Sequence, residues 1–241
     1  MLSDSDTDLD WKYIGATDPY FGVLTHSRFR RENITPDARE AFFESGRQEA
    51  EFIASHLANV DAIKSALDFG CGVGRLSIAL AARFCTVVGI DVSASMLTEA
   101  TRNAKDFDIT NARFTSDFPD EKFDLVVSYI VFQHIAPHQG LGLLRKLLDR
   151  VEIGGQAAIQ ITFYHAVTKK KNWLRLNVKS KIKAVFKKLG YKRKMEVRIL
   201  MHDYDATDVL RIFFDVGFRS LSLIKTDHGG CIGAWIFGRR V

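Results

Sequence analysis

The sequence has few cysteines and prolines, and it has no long apolar run. Its 241 residues include three cysteines and four prolines, and the cysteines lack metal-ligand spacing and cannot all pair. No apolar run approaches the roughly 18 residues that span a bilayer. The acidic start MLSDSDTDLD is unlike a signal peptide. We therefore expect a reducing compartment and a cytoplasmic protein.

Motifs for several common ligands are also missing. The dinucleotide fingerprint G-x-G-x-x-G fails in both registers of the glycine-rich turn, because its last position falls on Arg75 or Ser77. No G-x-x-x-x-G-K-[ST] sequence occurs, which excludes a P-loop. No group of His, Asp and Glu residues has the spacing of metal ligands. The sequence predicts neither a dinucleotide site nor a metal site.

Charge is concentrated in one stretch. The formal net charge is +5, but residues 169–198 contain 13 Lys or Arg residues and a single acid, Glu196. The remaining sequence has 21 basic and 28 acidic residues and is therefore mildly acidic. Hydrophobic residues make up 46% of the chain, which is enough for a core. The composition predicts an acidic globular body with one strongly basic segment.

The stretch ALDFGCGVGR, residues 66–75, predicts a nucleotide-binding turn. An apolar strand is followed by Gly70, Gly72 and Gly74 and then by an apolar run at helical spacing. Glycine lets the backbone turn sharply and approach a ligand, and a helix N-terminus offers free N–H donors. The next strand, VVGID, ends at Asp91, where a carboxylate can accept hydrogen bonds from ribose hydroxyls. An ordinary strand-to-helix turn is the alternative interpretation.

The pattern D-x-G-x-G-x-G with a downstream G-I-D resembles the class I S-adenosylmethionine-dependent methyltransferases. The resemblance runs over residues 66–163 and 205–240 and implies S-adenosyl-L-methionine as the cofactor. It places Met96 against the adenine, with core filling as the alternative role, and Asp117 or a neighbouring amide at the adenine amino group. Cys71 is interpreted as a small packing residue of the turn. The positions that the resemblance assigns to the cofactor site are Asp68, Gly70, Cys71, Gly72, Gly74, Asp91, Val92, Met96, Asp117, Phe118 and Ser128.

Alternating strands and helices predict the fold. We expect an α/β protein with a doubly wound, Rossmann-like, seven-stranded sheet that is mostly parallel with an antiparallel last strand. The predicted strands are 65–69, 86–90, 112–114, 123–128, 156–163, 218–225 and 231–238. The predicted helices are 35–57, with a kink or break at Ser45-Gly46, then 74–83, 93–105, 137–150 and 205–216.

The chain is predicted to have two parts. Residues 1–60 would form a helical segment that covers the site and contacts the methyl acceptor, and residues 61–241 would form the methyltransferase domain. Residues 1–12 alternate aspartates with small residues, so we expect them to be mobile. The aromatic side chains expected to fold over the cofactor are Tyr20, Phe21 and Phe29.

The basic insert at about 167–200 predicts an amphipathic helix. Its apolar residues fall in an arc of about 120° when they are drawn at about 100° per residue, with lysines on both sides. Three interpretations stay open. The helix is a lid packed on the body, a contact to an anionic membrane surface or lipid-linked acceptor, or a site for nucleic-acid phosphates, which the sparse aromatics disfavour. Membrane contact through residues 169–198 would make the protein peripheral at a membrane.

Several histidines are candidates for a general base. His134 matches a position that is frequent in the family, and a base there would help a hydroxyl to lose its proton. The alternative is a histidine that packs at a helix start and is satisfied by backbone groups. The other candidates are His138, His165, His202 and His228.

The sequence as a whole predicts methyl transfer from S-adenosylmethionine to a small-molecule acceptor. The acceptor would be a hydroxyl or amine, either free or linked to a glycan or lipid. An RNA methyltransferase and a non-catalytic S-adenosylmethionine-binding regulator are the alternatives, because the glycine turn and Asp91 indicate only that the cofactor binds.

Overall fold

The structure is a computed structural model that describes residues 5–166 and 200–241. Within those ranges the strands are β1 Ser65–Phe69, β2 Thr86–Ile90, β3 Ala112–Thr115, β4 Phe123–Ser128, β5 Val151–His165, β6 Phe218–Asp227 and β7 Cys231–Arg240. The helices are α1 Ser5–Thr17, α2 Pro19–Val23, α3 Pro36–Ser55, α4 Arg75–Ala81, α5 Ala94–Asp106, α6 Pro137–Leu148 and α7 Ala206–Val216. A 3-10 turn, Phe132–His134, lies between β4 and α6.

The strands form one seven-stranded sheet with the order β3-β2-β1-β4-β5-β7-β6. β1 pairs in parallel with β2 and β4, β2 with β3, and β4 with β5. β7 runs antiparallel to both β5 and β6. The predicted fold class is therefore confirmed. The strand order reverses between β1 and β4, and in such sheets ligands bind beyond the carboxyl ends of the strands at that point.

Helices cover both faces of the sheet because its central strands are buried on both sides. On one face, α3 and α4 contribute Ile53 and Leu80 to a core that includes residues of β1, β4 and β7. On the other face, α6 and α7 contribute Leu144 and Phe213. The carboxyl ends of the central strands are left between these two layers, where the connecting loops can build a site.

Most predicted element bounds lie within a few residues of the observed ones. β5 departs furthest, because it begins at Val151 rather than at position 156. The two strands of the last hairpin extend to Asp227 and Arg240, two residues beyond their predicted ends.

The predicted interruption of α3 at Ser45-Gly46 is wrong. The helix is continuous from Pro36 to Ser55. Gly46 instead permits close packing, since a Cβ at this position would lie 2.4 Å from the carbonyl oxygen of Arg75. The glycine therefore marks the contact between α3 and α4.

The expected mobility of residues 1–12 is wrong for residues 5–12, which belong to α1. Ile14 of this helix is buried. A Cβ at Gly15 would lie 2.9 Å from Met96 Cγ, so the absence of a side chain lets α1 approach α5 closely. The ordering of this segment depends on a contact between parts of the chain that are distant in sequence.

The second helix is fixed by polar contacts around Tyr20. Its hydroxyl lies 2.8 Å from Glu99 Oε1 and 2.8 Å from Asn103 Oδ1 on α5. Arg39 of α3 donates from Nη2 to Asn103 Oδ1 and to Asp106 Oδ2, both at 2.7 Å. These contacts join α2 and α3 to α5.

The basic insert predicted at about 167–200 lies outside the described residues, apart from its last position. Among the helices of the described ranges, none is both long and apolar enough to cross a bilayer. The division of the chain at residue 60 stays a prediction.

Replacing Gly46 with alanine should destabilise the protein. Alanine favours a helix over glycine by roughly 0.5–1 kcal/mol, but its methyl group would meet the Arg75 backbone, which cannot rotate away. Gly142→Ala in α6 is the matched control, since a Cβ there has nothing within 4 Å. Urea unfolding should show a lower free energy of unfolding for Gly46→Ala and a higher one for Gly142→Ala. Increased stability of Gly46→Ala would contradict the close contact between α3 and α4.

Candidate functional site

The turn between β1 and α4 requires glycine for two physical reasons. Gly70, Gly72 and Gly74 have φ values of +76°, +53° and +83°, a region that residues with a Cβ rarely adopt. In addition, a Cβ at Gly70 would lie 2.3 Å from Val131 Cγ2, and one at Gly72 would lie 2.6 Å from Val23 Cγ2. The turn is thus enclosed by the loop after β4 and by the end of α2.

Asp68 is a buried carboxylate that joins β1 to α4. Its side chain is 2% exposed, and Oδ2 accepts a hydrogen bond from Ser77 Oγ at 2.6 Å. Burial raises the pKa of Asp68 to about 6, while the Ser77 hydrogen bond and the charge of Arg75 oppose that rise. The arrangement fixes the two elements that flank the glycine turn.

Asp91 follows β2 and joins the glycine turn to α5. Its Oδ2 accepts the Gly72 N–H at 3.0 Å, and its Oδ1 accepts the Ser93 N–H at 2.9 Å. Burial raises the pKa of Asp91, and these two hydrogen bonds oppose the rise. Ser93 in turn caps α5, because its hydroxyl accepts the Met96 N–H at 3.4 Å.

A cavity of about 490 Å³ lies beyond the carboxyl ends of β1, β2 and β4; we refer to it as the main cavity. Its volume is in the range of roughly 300–1,000 Å³ that is usual for small-molecule sites. The glycine turn and Asp91 form one side. The residues that line it are Asp8, Trp11, Gly22, Val23, Phe69, Gly70, Gly72, Arg75, Ile90, Asp91, Val92, Met96, Ser116, Phe118, Tyr129, Ile130, Val131, His134, Ile135, Gln139, Gly142, Leu143 and Lys146.

The main cavity brings together about half of the residues predicted for the cofactor site. Those that line it are Gly70, Gly72, Asp91, Val92, Met96 and Phe118. The predicted residues that do not line it are Asp68, Cys71, Gly74, Asp117 and Ser128.

The residues outside the lining have structural surroundings of their own. Cys71 packs against Gly89, where a Cβ would lie 2.9 Å from the Cys71 Sγ. Gly74 precedes α4 and packs against Ala100. Ser128 is fully buried, and its Oγ has no hydrogen-bond partner among the residues that the structure describes.

Asp117 is a predicted residue whose side chain is exposed. It is exposed, and its backbone N–H is bonded to Thr115 Oγ1 at 3.0 Å. Its neighbours Ser116 and Phe118 line the cavity instead. The role of Asp117 at the adenine stays a prediction, which the lining of the cavity does not support.

His134 lines the main cavity from the 3-10 turn, and both of its ring nitrogens are engaged. Nδ1 lies 3.1 Å from the Leu200 carbonyl oxygen, to which it must donate, and Nε2 lies 3.1 Å from Gln133 Nε2, from which it accepts. Trp11 packs against the ring with centroids 4.9 Å apart. Burial lowers the pKa of His134 to about 4. The imidazole is therefore neutral at pH 7 and held in one orientation.

The chain that follows the undescribed segment is bonded to the same turn. The His202 N–H donates to the Gln133 carbonyl oxygen at 2.7 Å, and the Tyr204 hydroxyl donates to the Ile135 carbonyl oxygen at 2.8 Å. Tyr204 also packs where Gly140 has no side chain. Residues 200–204 thus support the wall of the main cavity.

The N-terminal contribution to the cavity differs from the predicted one. Trp11, Gly22 and Val23 line it, whereas the expected aromatic residues Tyr20 and Phe29 are buried in the core beside α3 and α5. Phe21 is also absent from the lining and carries the Arg30 guanidinium over its ring. The aspartates near Trp11 indicated a mobile segment, so the sequence did not predict that Trp11 lines a cavity.

Ile130 is a cavity residue that sequence reasoning missed. Its φ is +59°, which for a β-branched residue costs on the order of 1–3 kcal/mol. Its N–H donates to Gln160 Oε1 at 3.3 Å. No sequence pattern marks the conformation, which results from the close approach of this loop to the glycine turn.

Comparison with known proteins identifies a domain in part of the chain. Residues 66–155 match a family model described as a methyltransferase domain, and that range contains the glycine turn and Asp91. Over these residues the chain contains a methyltransferase domain. The methyltransferase domain shown by the match includes β1 to β4 and the start of β5.

The relatives resemble this chain over part of their length. A trans-aconitate 2-methyltransferase of Deinococcus radiodurans is 35% identical over 104 residues, which are 41% of this chain and 38% of that protein. A tRNA (uracil-5-)-methyltransferase homolog A of Homo sapiens is 29% identical over 98 residues, 39% of this chain and 16% of that protein. The chain thus spans about two fifths of the length of the first of these relatives.

Similarity to solved structures extends over the whole methyltransferase fold. The magnesium protoporphyrin IX methyltransferase of Synechocystis PCC 6803, crystallised with bound SAH, has a TM-score of 0.62 and 20% identity, covering 96% of this chain and all of that chain. At this identity the likeness shows the fold. In the described ranges of our chain, no group of three or more His, Cys, Asp or Glu residues is placed to hold a metal ion.

Asp68 should make the stability of the protein depend on pH. Its folded-state pKa of about 6 lies above the value of about 3.9 in an unfolded chain. Its stabilisation is therefore complete below about pH 4 and lost as the pH rises through about 6. Asp68→Asn cannot ionise, so its free energy of unfolding relative to wild type should rise by about 2–3 kcal/mol between pH 4 and 7 in urea unfolding. A difference that does not change with pH would contradict the raised pKa.

Proposed function

We propose that this chain binds S-adenosylmethionine in the main cavity and transfers its methyl group to a small-molecule hydroxyl or amine. The observation that carries the proposal is that the same cavity is bounded by the glycine turn and by Asp91. A backbone without side chains and a nearby carboxylate suit a ligand that has an amino-acid part and a ribose. The family match supports the same cofactor.

Asp91 has the capacity to hold the ribose in addition to its structural role. Each of its oxygens accepts one backbone N–H, from Gly72 or Ser93, and a carboxylate has about four acceptor positions. Two positions therefore remain for the two ribose hydroxyls. The residues present fit the cofactor at this point.

The adenine would lie between apolar side chains at the ends of β2 and β3. Val92 is 47% exposed and lines the cavity beside Met96 and Phe118. Such surface is favourable for a flat, largely apolar ring. Ser116, rather than Asp117, is the polar residue of this loop that lines the cavity.

The chemistry requires alignment more than proton transfer. When bound, S-adenosylmethionine supplies a methyl group activated by the positive sulfur. As the acceptor oxygen or nitrogen bonds to the methyl carbon, the sulfur–carbon bond breaks and the acceptor gives up a proton. Holding reactants in line contributes about 7–11 kcal/mol in favourable cases. The rigid turn after β1 and the strained loop at Ile130 supply fixed walls for that alignment.

A small acceptor is favoured over RNA because the N-terminal helices cover the main cavity. Trp11 of α1 and Val23 of α2 form part of its wall, so a folded nucleic acid would have to displace them. The trans-aconitate relative also acts on a small molecule by its name. An RNA acceptor and a non-catalytic regulator are the alternatives that the cofactor site alone does not distinguish.

His134 as a catalytic base stays a prediction. Its imidazole is neutral at pH 7 because burial lowers its pKa to about 4. However, Nε2 already accepts a hydrogen bond from Gln133, and Nδ1 donates to Leu200. To take a proton from the acceptor, the ring would first have to lose the bond from Gln133.

Asp91→Ala should weaken S-adenosylmethionine binding. The substitution removes the acceptor for two hydroxyls, and charge-assisted hydrogen bonds contribute about 1.5–3 kcal/mol, so the Kd should rise about tenfold or more. Asp117→Ala is the matched control and should bind within about twofold of wild type, because that side chain is exposed and does not line the cavity. Calorimetry measures both. Equal affinity of Asp91→Ala and wild type would exclude the ribose role, and a protein that binds NADH but not S-adenosylmethionine would exclude the cofactor.

We also propose that residues 169–198 attach the protein to an anionic membrane surface. The support is the concentration of 13 basic residues with one acid in this segment, because basic amphipathic segments are attracted to anionic lipids. Replacing Lys179, Lys183, Lys187 and Lys188 with Glu should abolish co-sedimentation with phosphatidylserine vesicles, and salt should weaken wild-type binding. The control variant replaces Lys12, Lys64, Lys105 and Lys122 with Glu, which changes the net charge equally. It should reduce co-sedimentation with the vesicles less. Equal loss in both variants would indicate a general charge effect.

A further inference from the structure

A second cavity meets the main one. It has a volume of about 460 Å³ and lies between α3 and the β6–β7 hairpin; we refer to it as the side cavity. Arg75 and Tyr129 line both cavities. The two cavities therefore adjoin at these two side chains.

Glu49 of α3 is the notable polar group of the side cavity. Burial raises the pKa of Glu49, and the charge of Arg75 and hydrogen bonds from Tyr129 and Trp235 oppose the rise. Within the described residues, the carboxylate of Glu49 forms no salt bridge. Glu49 thus lines the side cavity without a directly paired cation.

Arg75 does not neutralise this carboxylate directly, because other contacts hold the guanidinium. Its Nη1 donates to Ser45 Oγ at 3.0 Å, and its charged end lies 5.6 Å from the centre of the Tyr129 ring. Arg75 is 5% exposed. The position of this side chain at the junction of the two cavities is therefore fixed.

His228 is an aromatic neighbour of Tyr129 in the same space. The residue lines the side cavity, and its Nε2 is buried with no partner in the part of the chain that the structure describes. Its ring packs on Tyr129 with centroids 5.6 Å apart. Because this atom is buried, His228 contributes to the side cavity through the packing of its ring.

The side cavity has walls suited to an uncharged ring-shaped molecule. Phe52, Tyr129 and Trp235 provide aromatic surface, with Tyr129 and Trp235 stacked 5.0 Å apart. Its charged residues are two acids, Glu49 and Asp227, and two bases, Arg75 and Lys225. Because these charges balance, the cavity offers no excess positive charge to a phosphate or a polycarboxylate.

We propose that the side cavity binds the methyl acceptor, and that this acceptor is an uncharged small molecule whose hydroxyl or amino group donates a hydrogen bond to Glu49. This inference rests on the proposed methyltransferase function and specifies its substrate class. The aromatic walls hold the body of the molecule, and the reacting atom lies at the boundary with the main cavity that Arg75 and Tyr129 line. A tricarboxylate such as trans-aconitate does not fit this description.

The test uses Glu49→Gln in the full chain, with Glu51→Gln as the matched control. Glu51 is on the same helix but is exposed and pairs with Arg83 at 3.2 Å. Calorimetry with S-adenosylhomocysteine should give the same Kd for both variants and wild type within about twofold. Transfer of tritiated methyl from S-adenosylmethionine into the small-molecule fraction of a cell extract should fall about 10- to 100-fold in Glu49→Gln and not in Glu51→Gln.

A second variant, Gln48→Trp, tests the side cavity independently in case Glu49→Gln does not fold. Gln48→Trp places a large side chain at an exposed position that lines the side cavity, so it should block methyl transfer while leaving S-adenosylhomocysteine binding intact. Transfer at the wild-type rate in both Glu49→Gln and Gln48→Trp would overturn the proposal. Loss of S-adenosylhomocysteine binding in Glu49→Gln would also overturn it, because Glu49 would then belong to the cofactor site.

A direct binding measurement separates this inference from the proposed function. Saturation-transfer NMR with catechol, which is uncharged and carries two hydroxyls, should detect binding to wild type and Glu51→Gln and at least about fivefold less signal with Glu49→Gln. Benzoate, an anion of similar size, should give a weaker signal than catechol. A wild-type protein that transfers no methyl group would contradict the proposed function, and the catechol result would still decide the role of the side cavity. Equal catechol signals in all three proteins, or stronger binding of benzoate, would overturn the inference.

Discussion

The architecture of the site depends on the two backbone hydrogen bonds that the Asp91 carboxylate accepts. One comes from Gly72 in the turn after β1 and the other from Ser93 at the start of α5. Hydrogen bonds to a charged acceptor are roughly twice as strong as neutral ones, and in a buried position they also offset the cost of removing the carboxylate from water. The shape of the turn and the location of Met96 on α5 both follow from this contact. A single side chain therefore sets the distance between two walls of the main cavity.

Local patterns were sufficient to predict the central part of this protein. The strand, turn and helix around residues 66–75 and the acid after β2 are formed by residues that are close in sequence. The spacing of glycines and apolar residues is therefore enough to predict them. The order of residues 5–12 was not predicted, because it comes from the contact of α1 with α5, where Gly15 accommodates Met96. The assignment of Asp117 stays a prediction that the lining of the cavity does not support. A loop without periodicity does not specify which of two adjacent side chains turns inward, and here Ser116 lines the cavity.

The second cavity was beyond the reach of sequence reasoning. Glu49, Arg75 and Tyr129 come from α3, from the start of α4 and from the loop after β4, and no motif connects those three stretches. Their meeting requires the close approach of α3 to α4 at Gly46, which the sequence suggested was a break in the helix. Gly46 thus marks the place where α3 packs against α4, although in the sequence it resembled a helix break. Arg75 lines both the main cavity and the side cavity.

The placement of Trp11 and Val23 has a kinetic consequence. These side chains belong to α1 and α2 and form part of the wall of the main cavity, so a molecule inside cannot leave past them unless the helices separate from α5. That separation would break the contacts of Tyr20 with Glu99 and Asn103. The lifetime of a bound molecule on this side is therefore set by how often the N-terminal helices detach. A substitution that loosens Tyr20 would speed exchange without changing any group that touches the ligand.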